Sequence, residues 1–286
     1  FKIVRKEPSF ILEMAYIYCE NEKREKKELK EQKKEKILEN IKSEFEKTFL
    51  EKEKIYFLLG ENGAGKTTLI KCILNILNYK KGTIEVDQKD IKLIDSNERA
   101  KLLSYVPQEH TPLFNHLLLD VILMGAAGRL SFYESPKKSD IERANMIASY
   151  LGIEKLISKR YGEISGGERQ LTLIGRALMQ DSKFLLMDEP HSNLDYGNRI
   201  MVMNILENLK KDGYTILISS HNPQDAFLYA DEVIILNEGK VKVQGPPNDV
   251  LTSELLSNIY KQNIELIDIK EKNIKICIPI TKGETK

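Results

Sequence analysis

The stretch Gly60-Glu61-Asn62-Gly63-Ala64-Gly65-Lys66-Thr67-Thr68 fits the pattern G-x-x-x-x-G-K-[ST]. Its glycines let backbone N–H groups turn inward without side-chain clash, and those donors form a nest for phosphate oxygens. Lys66 would reach the terminal phosphates, and Thr67 would offer its hydroxyl to a magnesium ion. This chemistry is capture of a nucleoside triphosphate. A second group of candidates ends the run Phe184-Leu185-Leu186-Met187-Asp188-Glu189. Asp188 is suited to holding hydrated magnesium. Glu189, one residue on, would face the γ-phosphate and could polarise an attacking water. A third, Ser165-Gly166-Gly167-Glu168, has the capping-box spacing S-x-x-E. By itself it predicts a well-capped helix; its two glycines leave the positive end of that helix open to an anion.

These groups need elements to carry them. The apolar run Ile55 to Leu59 predicts a buried parallel strand entering the phosphate loop, and Leu69 to Leu77 a helix leaving it. Its positive dipole end would face the phosphates. Further strands are expected at Thr83 to Val86, after a turn at Lys80-Lys81-Gly82, and at Leu102 to Val106, closed by Pro107-Gln108. From there to about Gly162 the pattern is helical. It is broken by loops such as Gly125-Ala126-Ala127-Gly128 and Ser135-Pro136, as in a helical insertion. Apolar strands return at Phe184 to Met187, Thr215 to Ile218 and Val233 to Leu236, with a helix over Ile200 to Leu209. Alternation of this kind predicts an α/β core with a mainly parallel sheet and its ligand at the carboxyl edge.

The 286 residues suffice for a sizeable core. With 44 Lys+Arg against 43 Asp+Glu, the net charge of +1 gives no field favouring nucleic acid. No apolar run approaches the length of a membrane span; the best, Leu117 to Met124, is broken by Asp120. Cys19, Cys72 and Cys277 are odd in number and lack metal spacing, which fits a reducing cytosol. From Phe1 to Tyr18 one or two short strands are expected. Between Glu20 and Lys36, 14 of 17 residues are charged, which predicts a solvated insertion. Its eight cations stand among six glutamates, a poor composition for a basic arm.

With these motifs in order, the chain resembles the ATP-binding cassette (ABC) family of ATPases. The signature is carried by Ile164-Ser165-Gly166-Gly167-Glu168-Arg169-Gln170, with Ile where the family usually has Leu. Ser192-Asn193-Leu194-Asp195 looks like the D-loop, Gln108 like the Q-loop glutamine that helps ligate magnesium, and His221 like the switch histidine at the γ-phosphate. Tyr18, with Tyr16 second, is the candidate for stacking on adenine, although Cys19 stands where glycine is usual and the charged run separates it from Gly60. His110, His116 and His191 match nothing and are expected at the surface.

The resemblance implies ATP and Mg²⁺ as ligands, with Gly60 to Thr68, Gln108, Ser165 to Glu168 and Asp195 around the nucleotide. Thr67, Gln108 and Asp188 would serve the metal, and Glu189 and His221 catalysis. It implies a head-to-tail dimer of two copies, an integral-membrane permease, indirectly a substrate-binding protein, and a place on the cytoplasmic face of the membrane. Asp188 to Asn198, Asp120 to Gly125 and the ending from Gln244-Gly245-Pro246-Pro247 resemble cassettes of importers for iron–siderophore, haem and cobalamin. The implied layout is a β part and first core half at 1–107, an antiparallel β part leading it. A helical subdomain at 108–164, a second core half at 165–243 and a tail at 244–286 follow. Two other classes of the family stay open. One is a non-hydrolysing or regulatory cassette, against which Lys66, Asp188, Glu189 and His221 speak. The other is a non-transport ATPase, which would carry a long coiled coil or a second cassette; the charged run lacks an a/d seam.

Overall fold

The computed structural model describes residues 10–13, 47–79, 82–108, 115–128, 134–192, 194–269, 271 and 274–280. In chain order its elements are β1 (Phe10–Glu13), β2 (Lys47–Leu50), β3 (Ile55–Leu59), α1 (Lys66–Ile73), β4 (Thr83–Val86), β5 (Lys89–Asp90), α2 (Ser96–Leu102) and β6 (Leu103–Val106). Then come α3 (Leu118–Leu123), α4 (Lys138–Tyr150), α5 (Gly166–Met179), β7 (Phe184–Asp188), α6 (Tyr196–Lys211), β8 (Thr215–Ser220) and α7 (Pro223–Tyr229). The remainder is β9 (Glu232–Asn237), β10 (Lys240–Gly245), α8 (Pro247–Val250), α9 (Ser253–Tyr260), β11 (Ile264–Ile269) and β12 (Ile274–Pro279).

A six-stranded sheet runs in the order β10-β9-β3-β8-β7-β6. All its neighbours pair parallel except β9 and β10. Every residue of β3, β7 and β8 is buried, the pattern of strands covered on both faces. Alternation along β3 divides the core. Ile55, Phe57 and Leu59 join a cluster with α5, α6, α3 and α4; Tyr56 and Leu58 join another with Leu69, Ile70 and Ile73 of α1. That second face also carries a four-stranded antiparallel sheet, order β2-β1-β4-β5, through Leu50, Ile84 and Val86.

The chain is thus mixed α/β, with a mainly parallel sheet and an antiparallel part near its beginning. The charged run Glu20–Lys36, Tyr16, Tyr18, Cys19, the Lys80-Lys81 half of a turn, His110 and the loop Glu109–Phe114 lie outside the described residues. Gly125-Ala126-Ala127-Gly128 is not the open loop the sequence predicts. Met124–Gly128 forms a 3₁₀ turn with Gly125 and Ala126 buried. A Cβ on Gly125 would stand 2.0 Å from the Arg176 carbonyl oxygen, so the glycine marks a close approach to α5.

Candidate functional site

The neighbouring strands β3, β8, β7 and β6 run parallel, so their carboxyl ends open on one edge. Each delivers a candidate there: the phosphate loop after β3, His221 after β8, Asp188 and Glu189 at the end of β7, Gln108 two residues past β6. These residues are far apart in sequence, and parallel register brings them together.

Within the loop, Gly63 and Gly65 take φ of +84° and +103°, the left-handed region in which glycine avoids the Cβ penalty. Gly65 is the N-cap of α1, and Lys66 is its first residue. The Lys66 Nζ donates to the carbonyl oxygens of Gly60 (2.8 Å) and Glu61 (3.1 Å) and lies 3.8 Å from Glu189 Oε1. Burial lowers its pKa, opposed by the Glu189 and Asp188 carboxylates. A triphosphate would restore what burial takes away, because it places anionic oxygens beside the ammonium. Glu61 is also paired through Oε2 with Lys261, at 3.1 Å; that pair is exposed enough to contribute little.

Glu189 is where the site converges. Its Oε2 accepts from Gln108 Nε2 at 3.3 Å and lies 3.2 Å from His221 Nδ1, while Oε1 faces Lys66. Its φ of +43° is uncommon for a residue with a side chain. Such strain persists where the surroundings over-determine it, and it clusters at functional sites.

Ser219, absent from the candidates read in the sequence, supports both acids. Its hydroxyl donates to Asp188 Oδ1 at 2.5 Å and accepts from the Glu189 N–H at 3.0 Å. The signal available was a pair of small polar residues, Ser219-Ser220, ending an apolar strand just before His221. Ser219→Ala leaves the Glu189 N–H without its acceptor, so urea unfolding should report a loss of about 1–3 kcal/mol. Unchanged stability would show that another group takes over this bond.

The Ser165 capping box forms as the sequence predicts. Ser165 Oγ accepts from the Glu168 N–H at 3.3 Å, and Glu168 Oε2 accepts from the Ser165 N–H at 2.7 Å. This bond from the Ser165 amide holds the Glu168 carboxyl below its ordinary range. Asp195 caps α6 by accepting from Asn198 N and Nδ2, at 2.8 and 2.7 Å. A Cβ on Gly167 would meet the Asn198 side chain at 2.5 Å, so the starts of α5 and α6 lie against each other. Among the described residues, none of Ser165, Gly166, Gly167, Glu168 and Asp195 bonds to the phosphate loop. Tyr18 and Asn193 lie outside the described residues.

His191 overturns its expected place at the surface. It is 7% exposed and lies against Asp225, itself 3% exposed, with Nε2 2.9 Å from Oδ2. Its burial depends on a carboxylate supplied by α7, which nothing near it in sequence announces.

The donor set fits a hard cation. The Thr67 hydroxyl, the Asp188 carboxylate and the Gln108 side-chain carbonyl all belong to this edge. The described residues form no dedicated cluster of three or more His, Cys, Asp or Glu. One carboxylate supplemented by a hydroxyl, water and phosphate oxygens is the habit of Mg²⁺.

The family model described as ABC transporter matches residues 19–192. An uncharacterized ABC transporter ATP-binding protein of Haemophilus influenzae is 40% identical over 218 residues, 76% of this chain and 83% of that protein. A protein of Helicobacter pylori named "Probable iron chelatin transport ATP-binding protein" is 35% identical over 218 residues, 76% of this chain and 86% of its own. Among solved structures, a metal-chelate type ABC transporter in an inward-facing conformation superposes with a TM-score of 0.75. It is 30% identical and covers 83% of this chain and 90% of that one.

Proposed function

Because the chain belongs to the ABC transporter family of ATPases, we propose that its hydrolysis of ATP powers import of a metal chelate through a membrane permease. The carrying observation is the Glu189 carboxylate, set among Lys66, Gln108 and His221 at one sheet edge.

In this reading the amides of Gly60 to Gly65 and the start of α1 hold the β- and γ-phosphates. Lys66 turns from the loop carbonyls to the phosphates and offsets charge that builds in the transition state. Glu189 orients a water and takes its proton as the water oxygen bonds to the γ-phosphorus. The bond to the bridging oxygen breaks, leaving ADP and phosphate. His221 bears on Glu189 and on the γ-phosphate. Thr67, Asp188 and Gln108 would hold Mg²⁺, which would supply charge neutralisation on the phosphate oxygens. Tyr18 stacks on adenine.

Ser165-Gly166-Gly167 and Glu168 serve the nucleotide of a second copy, with Asp195 at the shared seam. Two chains then close head to tail around two ATP molecules, an isologous C₂ arrangement that uses one patch twice. The layout is that of 1–107 and 165–243 as core halves, 108–164 as a helical subdomain and 244–286 as a tail. Among the described residues no helix is long and apolar enough to cross a membrane. In this reading the permease is a separate partner, approached from the cytoplasmic face, and a substrate-binding protein presents the cargo on the other side. The iron chelatin relative and the metal-chelate structural neighbour support the cargo class.

The stretch Leu117 to Met124 is the candidate docking face for the permease. Leu118, Val121 and Ile122 are buried, while Leu117, Asp120 and Met124 are exposed at spacings of three and four. Co-purification with the permease and uptake of labelled chelates tests the whole reading. Leu117→Lys with Met124→Lys should abolish stimulation by the permease and leave basal hydrolysis within about twofold, as surface changes away from a site do. Stimulation that persists in this variant removes the docking assignment, and failure of every chelate to move removes the cargo.

A further inference from the structure

The loops that meet at Glu189 and His221 meet again a few residues on. His191 stands two positions beyond Glu189, and Asp225 four positions beyond His221 in the first turn of α7. His191 Nε2 lies 2.9 Å from Asp225 Oδ2, and Asp225 Oδ1 is paired with Arg199 of α6. One buried carboxylate therefore grips His191, just past Glu189, and Arg199, in α6 beyond Asp195. Burial raises the pKa of the Asp225 carboxyl, but the contacts with His191 and then Arg199 outweigh it and hold the group ionised.

The support behind Asp225 is fixed in turn. Asn222 caps α7 by accepting from the Gln224 N–H at 3.0 Å. The Gln224 side chain donates to the Lys275 carbonyl oxygen at 3.1 Å and accepts from the Cys277 N–H at 3.0 Å, both on β12. Among the described residues His191 Nδ1 and Asp225 Oδ2 are both buried without a well-directed hydrogen bond, so what joins Nε2 to Oδ2 is their approach to 2.9 Å. An apolar side chain would fill this space without that penalty. What His191 adds is the hold on Asp225.

We propose that His191 is a positioning residue for ATP hydrolysis: through Asp225 it fixes the backbone that carries Glu189 relative to the backbone that carries His221. The bond from the Glu189 N–H to Ser219 and the contact between Glu189 and His221 are both made at Glu189 itself, so with these alone the two loops can pivot about that residue. A second contact removes the pivot and sustains the left-handed φ of Glu189. The proposal rests on the catalytic assignment of Glu189 and His221 made above.

The test compares His191→Leu, His191→Gln, Asp225→Asn and the double variant His191→Leu/Asp225→Asn for ATPase kcat and KM, ATP binding and thermal unfolding. Displacing a catalytic group by an ångström can cost on the order of 10²-fold, so His191→Leu should lose roughly ten- to a hundredfold in kcat. Its KM and ATP affinity should stay within about twofold, because Lys66 and the phosphate loop are untouched. Gln can place its amide nitrogen where the imidazole Nε2 lies, so His191→Gln should recover most of the loss. The double variant should be no slower than the slower single one, since one contact is broken in all three.

A normal kcat in His191→Leu overturns the proposal, as does equal loss of kcat and ATP affinity, or a Gln variant no better than Leu. Should His191→Leu fail to fold, Asp225→Asn decides, and a normal kcat there overturns it equally. Glu189→Gln separates the two levels. If that variant hydrolyses normally, the catalytic assignment falls and this inference with it. If it is inactive while His191→Leu is fully active, only the role of His191 falls.

Discussion

Glu189→Gln should bind ATP with Mg²⁺ and accumulate as a stable dimer, whereas Lys66→Ala should bind poorly and stay monomeric under the same conditions. The first substitution keeps side-chain shape and the contact with Gln108, but removes the carboxylate that would take a proton from water. Such a role is typically worth 10²- to 10⁴-fold in rate. In the proposed dimer a retained γ-phosphate would continue to bridge Lys66 of one copy and Ser165-Gly166-Gly167 of the other, so closure would no longer be undone by hydrolysis. The second substitution removes the ammonium group that would reach the phosphates, together with its bonds to the Gly60 and Glu61 carbonyls. Loss of charge-assisted contacts to a polyanion weakens binding directly. Size-exclusion chromatography with and without ATP and Mg²⁺ reads the dimer, and phosphate release reads the rate. A Glu189→Gln protein that hydrolyses at the parent rate, or that never dimerises with ATP even beside its permease, sinks the shared-site reading.

Much of this site could be read from sequence because its parts are local. The run into Gly60, the glycines and Lys66 lie within one strand–loop–helix unit, so pattern and chemistry coincide. The Ser165–Glu168 box is equally local, and it forms. The convergence on Glu189 is of another kind. It depends on β8 and β7 lying between β3 and β6, an order of strands that no short pattern specifies. The same holds for Ser219, whose bonds to Asp188 and Glu189 cross from one strand to the next. His191 matches no motif, so the sequence alone predicts a surface position for it. Its partner Asp225 arrives only after α6 and β8 have folded between them. A lone polar residue gives no sign of such a partner. The turn at Gly125 is ambiguous in sequence for a related reason: loop and tight packing both use glycine, and only the carbonyl of Arg176 distinguishes them.

Gly60 shows how that ambiguity becomes a measurable difference. By motif alone, Gly60 and Gly63 serve one purpose, approach of the backbone to phosphate. Their surroundings differ. A Cβ on Gly60 would lie 2.2 Å from the Leu236 carbonyl oxygen and 3.1 Å from the Ala64 Cβ. Leu236 belongs to β9, held between β3 and β10, so its carbonyl cannot withdraw cheaply. A Cβ on Gly63 would meet nothing within 4 Å, and only its φ of +84° resists a side chain. Gly60→Ala therefore forces the loop away from the sheet. Overpacking of this kind costs about 1–3 kcal/mol, and a contact with fixed backbone belongs at the upper end. Gly63→Ala costs roughly 1–2 kcal/mol for the left-handed backbone alone. The functional gap is expected to be wider than the stability gap. Moving Gly60 displaces the carbonyl that Lys66 now contacts and tilts the amides that follow, so ATP affinity should fall at least about tenfold, the equivalent of about 1.4 kcal/mol. Gly63→Ala, with its amides still in place, should lose less. Urea unfolding and nucleotide titration on the two variants decide it. Equal losses in both would mean that β9 yields and that Gly60 serves the phosphate as Gly63 does; normal ATP binding by Gly60→Ala would mean that the loop tolerates a side chain there.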